Sequence, residues 1–229
     1  MPRGPAIIVE NFEGSNNTPE NYAKYKEMGL YRNLATVWVT PTRGTMQTKV
    51  AFNWMGIAGG FNQPLCKVCV EGCEVGAAYN FAIKEILANP ALKNFQYLLT
   101  VEEDNTAPPD GLHKLYQSIQ EYDAVSGLYW TKGPGGVPQI WGDGNPASFV
   151  PQTPLVDKIQ RCSGIGMGFA LFRLEMFRHK DFDYGAWFCT KDGCTQDLYF
   201  WKKAAPLGFK CAVDTRVRCG HVDSEGVIW

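Results

Sequence analysis

Apolar residues recur along this chain in two rhythms, short continuous runs and longer stretches at helical spacing, and their order predicts the architecture. Leu34-Ala35-Thr36-Val37-Trp38-Val39 reads as a strand that empties into the polar loop Thr40-Pro41-Thr42-Arg43-Gly44. Met46, Val50, Trp54 and Ile57 follow on one helical face, which Gly59-Gly60 closes. Lys67 to Val70 is extended again and exits through Glu71-Gly72 into a helix from about Val75 to Ala88. The stripe Tyr79, Ala82, Ile83, Ile86, Leu87 is the buried face of that helix, and Asn89-Pro90 ends it. Phe95, Tyr97, Leu98, Leu99 and Val101 lack clean polar alternation, as a strand buried on both faces does. Pro108-Pro109-Asp110 then opens a helix with the stripe Leu112, Leu115, Tyr116, Ile119, and Ala124 to Trp130 is another strand. This succession of strand-helix units predicts an α/β domain whose mostly parallel sheet is covered by helices on both faces.

The second half loses the rhythm. Thr131 to Thr153, with GPGG and GDGNP, reads as a long loop or hairpin region, which in a compact domain is more often functional than idle. Gly164 to Phe172 runs glycines into an apolar strand, and the glycines permit close backbone approach by a ligand or by another strand. Asp192-Gly193 is a turn signal, Thr195 is a good N-cap for a helix from Gln196 to Leu207, and Gly208 ends it. Phe209 to Val213 and Val217 to Cys219 read as short strands. Near the N-terminus, Thr18-Pro19-Glu20 is a credible helix start, with Gly29 as its end. A single domain over 1–229 is expected.

Composition changes this picture little. A chain 45% hydrophobic and 13% aromatic is globular, and a net charge of -1 offers no global basic field for nucleic acid. No apolar run approaches the roughly 20 residues of a membrane helix, and the N-terminal run is too short for a signal peptide, so a soluble, cytoplasmic protein without a membrane span is expected. The eight cysteines, spread through apparent strands, read mostly as buried, reduced thiols. The alternative is zinc at Cys66-x-x-Cys69-x-x-x-Cys73, with Cys189, Cys194 or a histidine as fourth ligand.

The candidate chemistry lies at the end of the central strand. Glu102, Glu103 and Asp104 emerge at its carboxyl end, the edge where open α/β sheets bind ligands. Three adjacent carboxylates repel one another unless a cation or several donors compensate, and a divalent metal does so economically. The bland alternative is a solvated acidic turn that caps the next helix through Asp110.

Together these residues resemble the GT-A glycosyltransferases, which use nucleotide-sugar donors and a divalent metal held by an Asp-x-Asp type motif. The resemblance covers roughly Leu34 to Val222 and implies a Rossmann-like, mostly parallel central sheet with an irregular acceptor-side second half. On it, about 34–130 is the nucleotide-binding half and about 131–229 the acceptor and catalytic half. Thr40, Pro41, Thr42 and Arg43 look like the opening nucleotide-binding loop, Gly76-Ala77-Ala78-Tyr79-Asn80 resembles a helix near the nucleotide, and Glu71, Asn80 and Glu103 join the donor contacts. Asp104, His221 and Glu102 are the implied ligands of Mn²⁺ or Mg²⁺. Thr195-Gln196-Asp197-Leu198 resembles the helix start that supplies the catalytic base of inverting members, which makes Asp197 that base. The implied reaction moves a sugar from a nucleotide-diphosphate sugar, foremost a UDP-sugar, to a hydroxyl of a glycan, protein, small molecule or modified DNA base. Two positions depart from the pattern: Glu102 stands where Asp is usual, and Tyr79 where Arg is common. A nucleotidyltransferase of the same fold and a non-catalytic nucleotide- or carbohydrate-binding module are the alternatives; the lack of a Gly-rich phosphate loop with a following basic residue near Thr40 to Gly44 counts against the first.

Overall fold

A computed structural model describes residues 32–60, 63–145, 147–191 and 193–229. The expected helix from Thr18 to Gly29 lies outside the described residues, as does Asp192 of the expected turn. Strands β1 (Thr36–Thr42), β2 (Leu65–Glu71), β3 (Tyr97–Val101), β5 (Ala124–Leu128), β7 (Ile159–Cys162), β9 (Phe169–Arg173) and β10 (Cys211–Arg218) form one seven-stranded sheet in the order β2-β1-β3-β9-β5-β10-β7. Strand β1 pairs parallel with β2 and β3, and β5 pairs parallel with β10. Strand β9 runs antiparallel between β3 and β5, and β7 closes the far edge antiparallel to β10. Two-residue strands complete the set: β4 (Asn105–Thr106) with β11 (Gly220–His221), and β6 (Ile140–Trp141) with β8 (Gly164–Ile165).

The alternation hidden in the apolar strands becomes visible once both faces are seen. On β1, Val37 and Val39 face one core and Trp38 the other; on β3, Leu98 faces the first while Tyr97, Leu99 and Val101 face the second. Helix α2 (Val75–Ala88) covers the first face with Tyr79, Ala82, Ile83 and Ile86, joined by Phe200 and Trp201 of α4 (Gln196–Ala204). Helix α3 (Gly111–Ser118) covers the second with Leu112, Leu115 and Tyr116, next to Trp54 of α1 (Thr48–Met55). The Glu74 carboxylate caps α2 by accepting the Ala77 amide at 3.0 Å. Helix α4 stops at Ala204, where Ala205–Leu207 tightens into a 3₁₀ turn before Gly208 takes the left-handed φ of 89°. No helix among the described residues is long and apolar enough to cross a membrane.

Two local expectations change. The strands expected over Phe209 to Val213 and Val217 to Cys219 are one eight-residue strand, Cys211–Arg218, whose register with β5 shifts between Asp214 and Arg218. On β2, Cys66 is buried and Cys69 exposed, since positions three apart on a strand face opposite ways. Cys73 is exposed beyond the strand end, and no group of three or more His, Cys, Asp and Glu among the described residues is arranged to hold a metal by itself.

Candidate active site

The three acids leave β3 in a tight turn. The Glu102 amide donates to Gly168 O at 3.1 Å and the Asn105 amide to Glu102 O at 2.9 Å, which sends Glu103 towards β1 and Asp104 towards the end of the chain. Glu103 is buried and accepts from the Thr42 hydroxyl at 2.6 Å, the Arg43 amide at 2.9 Å and Arg43 Nε at 2.5 Å. Burial alone raises its pKa, but these donors outweigh it and hold the carboxyl below the ordinary range.

Asp104 meets a different set of groups. Pairing of β4 with β11 places His221 opposite Asn105, and the Val222 amide donates to Asp104 O at 2.7 Å, so the His221 ring lies beside the Asp104 carboxylate with Nε2 3.6 Å from Oδ1. The other oxygen, Oδ2, receives Lys132 Nζ at 2.5 Å. Burial pushes the Asp104 pKa up, yet the His221 and Lys132 contacts bring it down to about 2. His221 Nδ1 lies 2.8 Å from Trp130 O, and a carbonyl can only accept, so Nδ1 carries a proton and Nε2 turns towards Asp104. With Nδ1 engaged from behind, Nε2 is the ring atom available beside the Asp104 carboxylate, and the two together could take a cation between them. That donor pair, with its tautomer fixed from behind, fits one side of a Mn²⁺ or Mg²⁺ coordination shell.

Glu102 stands apart from that pair. Burial, then the charges of Asp104 and Asp197, push its pKa up to about 8, which Lys132 offsets only in part. The Tyr79 hydroxyl, fully buried on α2 and without a hydrogen-bond partner among the described residues, feels the charges of Glu102, Asp104 and Asp197. Asp197, in the first turn of α4, is 6% exposed; its Oδ1 accepts from the Thr195 hydroxyl and from the Leu198 amide at 2.8 Å. Burial raises its pKa more than those donors lower it.

Two adjoining cavities of about 430 and 440 Å³ open on this edge, and both are lined by Arg43, Glu103, Asp104 and Lys132. The first extends over Pro41, Thr42, Cys73, Val75, Glu102 and Gln196, the second over Met46, Gln47, Val222 and Asp223. Of the residues expected to contact the donor, Pro41, Thr42, Arg43 and Glu103 line cavity wall. The others lie elsewhere. Thr40 is buried and accepts from Trp38 Nε1 at 2.8 Å, Glu71 lies against Gly44, and Asn80 exchanges hydrogen bonds with the Phe188 backbone at 2.7 and 2.9 Å. The glycines before β9 are close to protein: a side chain at Gly164 would meet Trp201, at Gly166 the Tyr129 hydroxyl and at Gly168 Asn105. Sequence reasoning missed Lys132, whose only local signal is its place at the shoulder of a glycine-rich turn.

No protein-family model matches the sequence, and no curated protein matches it. Solved structures do resemble it. A197 from STIV superposes with a TM-score of 0.62 at 15% identity, over 85% of this chain and 88% of that one. GalNAc-T7, crystallised with UDP, GalNAc and Mn²⁺, gives a TM-score of 0.58 at 12% identity over 84% of this chain. This chain spans 44% of the GalNAc-T7 chain. At such identities the likeness bears on fold alone, and the fold it shows is the α/β arrangement of the GT-A glycosyltransferases.

Proposed function

We propose that this chain is a metal-dependent glycosyltransferase that moves a sugar from a nucleotide-diphosphate sugar, foremost a UDP-sugar, to an acceptor hydroxyl with inversion at the sugar carbon. The observation that carries the reading is the meeting of Asp104 with His221 Nε2 at 3.6 Å, in cavities at the carboxyl edge of a GT-A sheet. Asp104 and His221 would hold the cation. Bound Mn²⁺ or Mg²⁺ supplies positive charge where the leaving diphosphate develops negative charge. The Glu103–Arg43–Thr42 cluster shapes the donor side, and Pro41 and Val75 offer apolar wall for the base of the nucleotide. Asp197 is the general base. Thr195 and the Leu198 amide fix its orientation, and the raised proton affinity that burial gives it makes it the stronger base once ionised. A base acting on the acceptor face, opposite the leaving group, implies a single in-line displacement and a β-linked product from an α-linked donor.

One observation favours a non-catalytic nucleotide-binding module: Asp197 is buried and lines neither cavity. Slow donor hydrolysis separates the two readings. A panel of nucleotide sugars with Mn²⁺, read first by thermal shift and then by released nucleoside diphosphate, is expected to show one stabilising donor that is also hydrolysed. Stabilisation with no hydrolysis and no transfer overturns the enzymatic reading.

A further inference from the structure

Lys132 reaches the site from a separate piece of chain. The backbone from Tyr129 to Gln139 folds back on itself, with Gln139 N to Tyr129 O and Thr131 N to Val137 O both at 2.9 Å, and a bridge between Trp130 and Pro138. At the tip, Gly133 and Gly135 adopt φ of 92° and 81°, and a side chain on either would meet no atom within 4 Å. The base of this hairpin is fixed, Thr131 being tied to Val137 through both its amide and its hydroxyl, and the glycine tip meets open space, so Lys132 reaches Asp104 from the rim of the site with its long side chain.

The two acid–base pairs that line both cavities differ in how firmly they are held. Glu103 accepts three bonds, two of them from the neighbouring Arg43, and that pair is built into the end of β1. Asp104 has fewer donors: among the described residues one oxygen faces His221 across 3.6 Å and the other is held by Lys132 alone, with no backbone amide to share the charge. A doubly charged cation that takes Asp104 and His221 brings its charge against the ammonium. Like charges at so short a separation repel, and the partly desolvated site screens them less than water does. That repulsion weakens the hold of Oδ2 on the ammonium, and Lys132 lines both adjoining cavities, into which it can turn.

We propose that Lys132 is an exchangeable counter-ion, bound to Asp104 in the donor-free protein and transferred to the donor's diphosphate oxygens when that anion enters. The inference rests on the proposed function and deepens it. Lys132 neutralises Asp104 while the site is empty, competes with a divalent cation for that carboxylate, and becomes an anion ligand once displaced. Metal and nucleotide consequently bind interdependently, since each makes room for the other.

Calorimetry on the full chain tests this with two probes, MnCl₂ alone and UDP in the presence of Mn²⁺. Lys132→Met keeps the length of the side chain and removes its charge at a partly exposed hairpin position, and thermal melting confirms that it folds. It is expected to bind Mn²⁺ alone about tenfold more tightly, because the competitor is gone, and UDP with Mn²⁺ about tenfold more weakly, because one charge-assisted contact is gone. Lys132→Arg is expected to restore most of the UDP affinity. Unchanged affinity for both probes in Lys132→Met, while the wild type binds UDP with Mn²⁺, overturns the counter-ion role and leaves the proposed function standing. A wild-type chain that binds no nucleotide diphosphate overturns both.

Discussion

Three carboxyls in a row on one turn end up with three different characters, and the cause is what each one touches. Asp104, between His221 and Lys132, is held at about 2, Glu103 is held low by Thr42 and Arg43, and Glu102, which has only partial compensation, rises to about 8. Asp197 shares the apolar setting but keeps fixed donors, which suits a proton acceptor. Asp197→Asn is therefore expected to retain folding stability and UDP affinity while transfer falls by about 100-fold or more; turnover near that of the wild type would show that another group is the base. Away from the site, Asp214 is fully buried on β10, with Arg216 Nη2 at 2.7 Å and the Ser118 hydroxyl at 2.6 Å. Burial raises its pKa, but those partners lower it more, so the folded value lies below the unfolded one. Its contribution to stability is accordingly present above the unfolded pKa of about 3.9 and is lost as pH falls through the folded value. Asp214→Asn is expected to cost about 2 kcal/mol in urea unfolding at pH 7, and the gap should shrink towards pH 3. A gap that widens on acidification would contradict the assignment.

At the scale of elements, what the chain declares and what it hides follow from the range of the interactions. Strands β1, β3 and β5 were legible because a strand buried on both faces needs apolar residues at successive positions, edge strand β2 because its buried and exposed positions alternate, and the helix stripes between them have their own period. The insertion of β9 antiparallel between β3 and β5 was not, since Phe169-Ala170-Leu171-Phe172 reads the same in either direction. The pairing of β4 with β11 involves two residues on each side, too few to leave a pattern, yet it is what brings His221 to Asp104. The carboxyl-edge position of Glu102, Glu103 and Asp104 could be read from the run before them; the reach of Lys132 across 28 residues could not. The glycines of 164–168 were seen, but only coordinates show that they admit Trp201, Tyr129 and Asn105. Gly166 tests that packing. A methyl there would collide with the Tyr129 hydroxyl, which accepts the Gly168 amide at 2.9 Å and whose ring meets His221 edge-on at 5.6 Å. Gly166→Ala is expected to destabilise by about 2 kcal/mol in chemical denaturation; a neutral effect would mean that the segment gives way freely.

Across the whole molecule, the sheet separates work from support. The acids, Lys132 and His221 gather at one edge, while four of the eight thiols lie buried within the layers. Cys66, Cys162, Cys211 and Cys219 are buried, and Cys69 and Cys73 are exposed. A thiol reagent on the native protein is expected to modify Cys69 and Cys73 first and those four buried positions only on unfolding, with peptide mass mapping as the check. Early modification of Cys162 or Cys211 would contradict the packing of β7 against β10. The central claim is that this edge is a metal-assisted site for a nucleotide diphosphate, and its most direct test is calorimetric titration of UDP into the full chain with Mn²⁺ and after exhaustive chelation. Measurable binding with Mn²⁺ alone is expected, with the affinity weakened by about tenfold or more in both Asp104→Ala and His221→Ala. Equal UDP affinity after chelation, or full affinity in both variants, would contradict it.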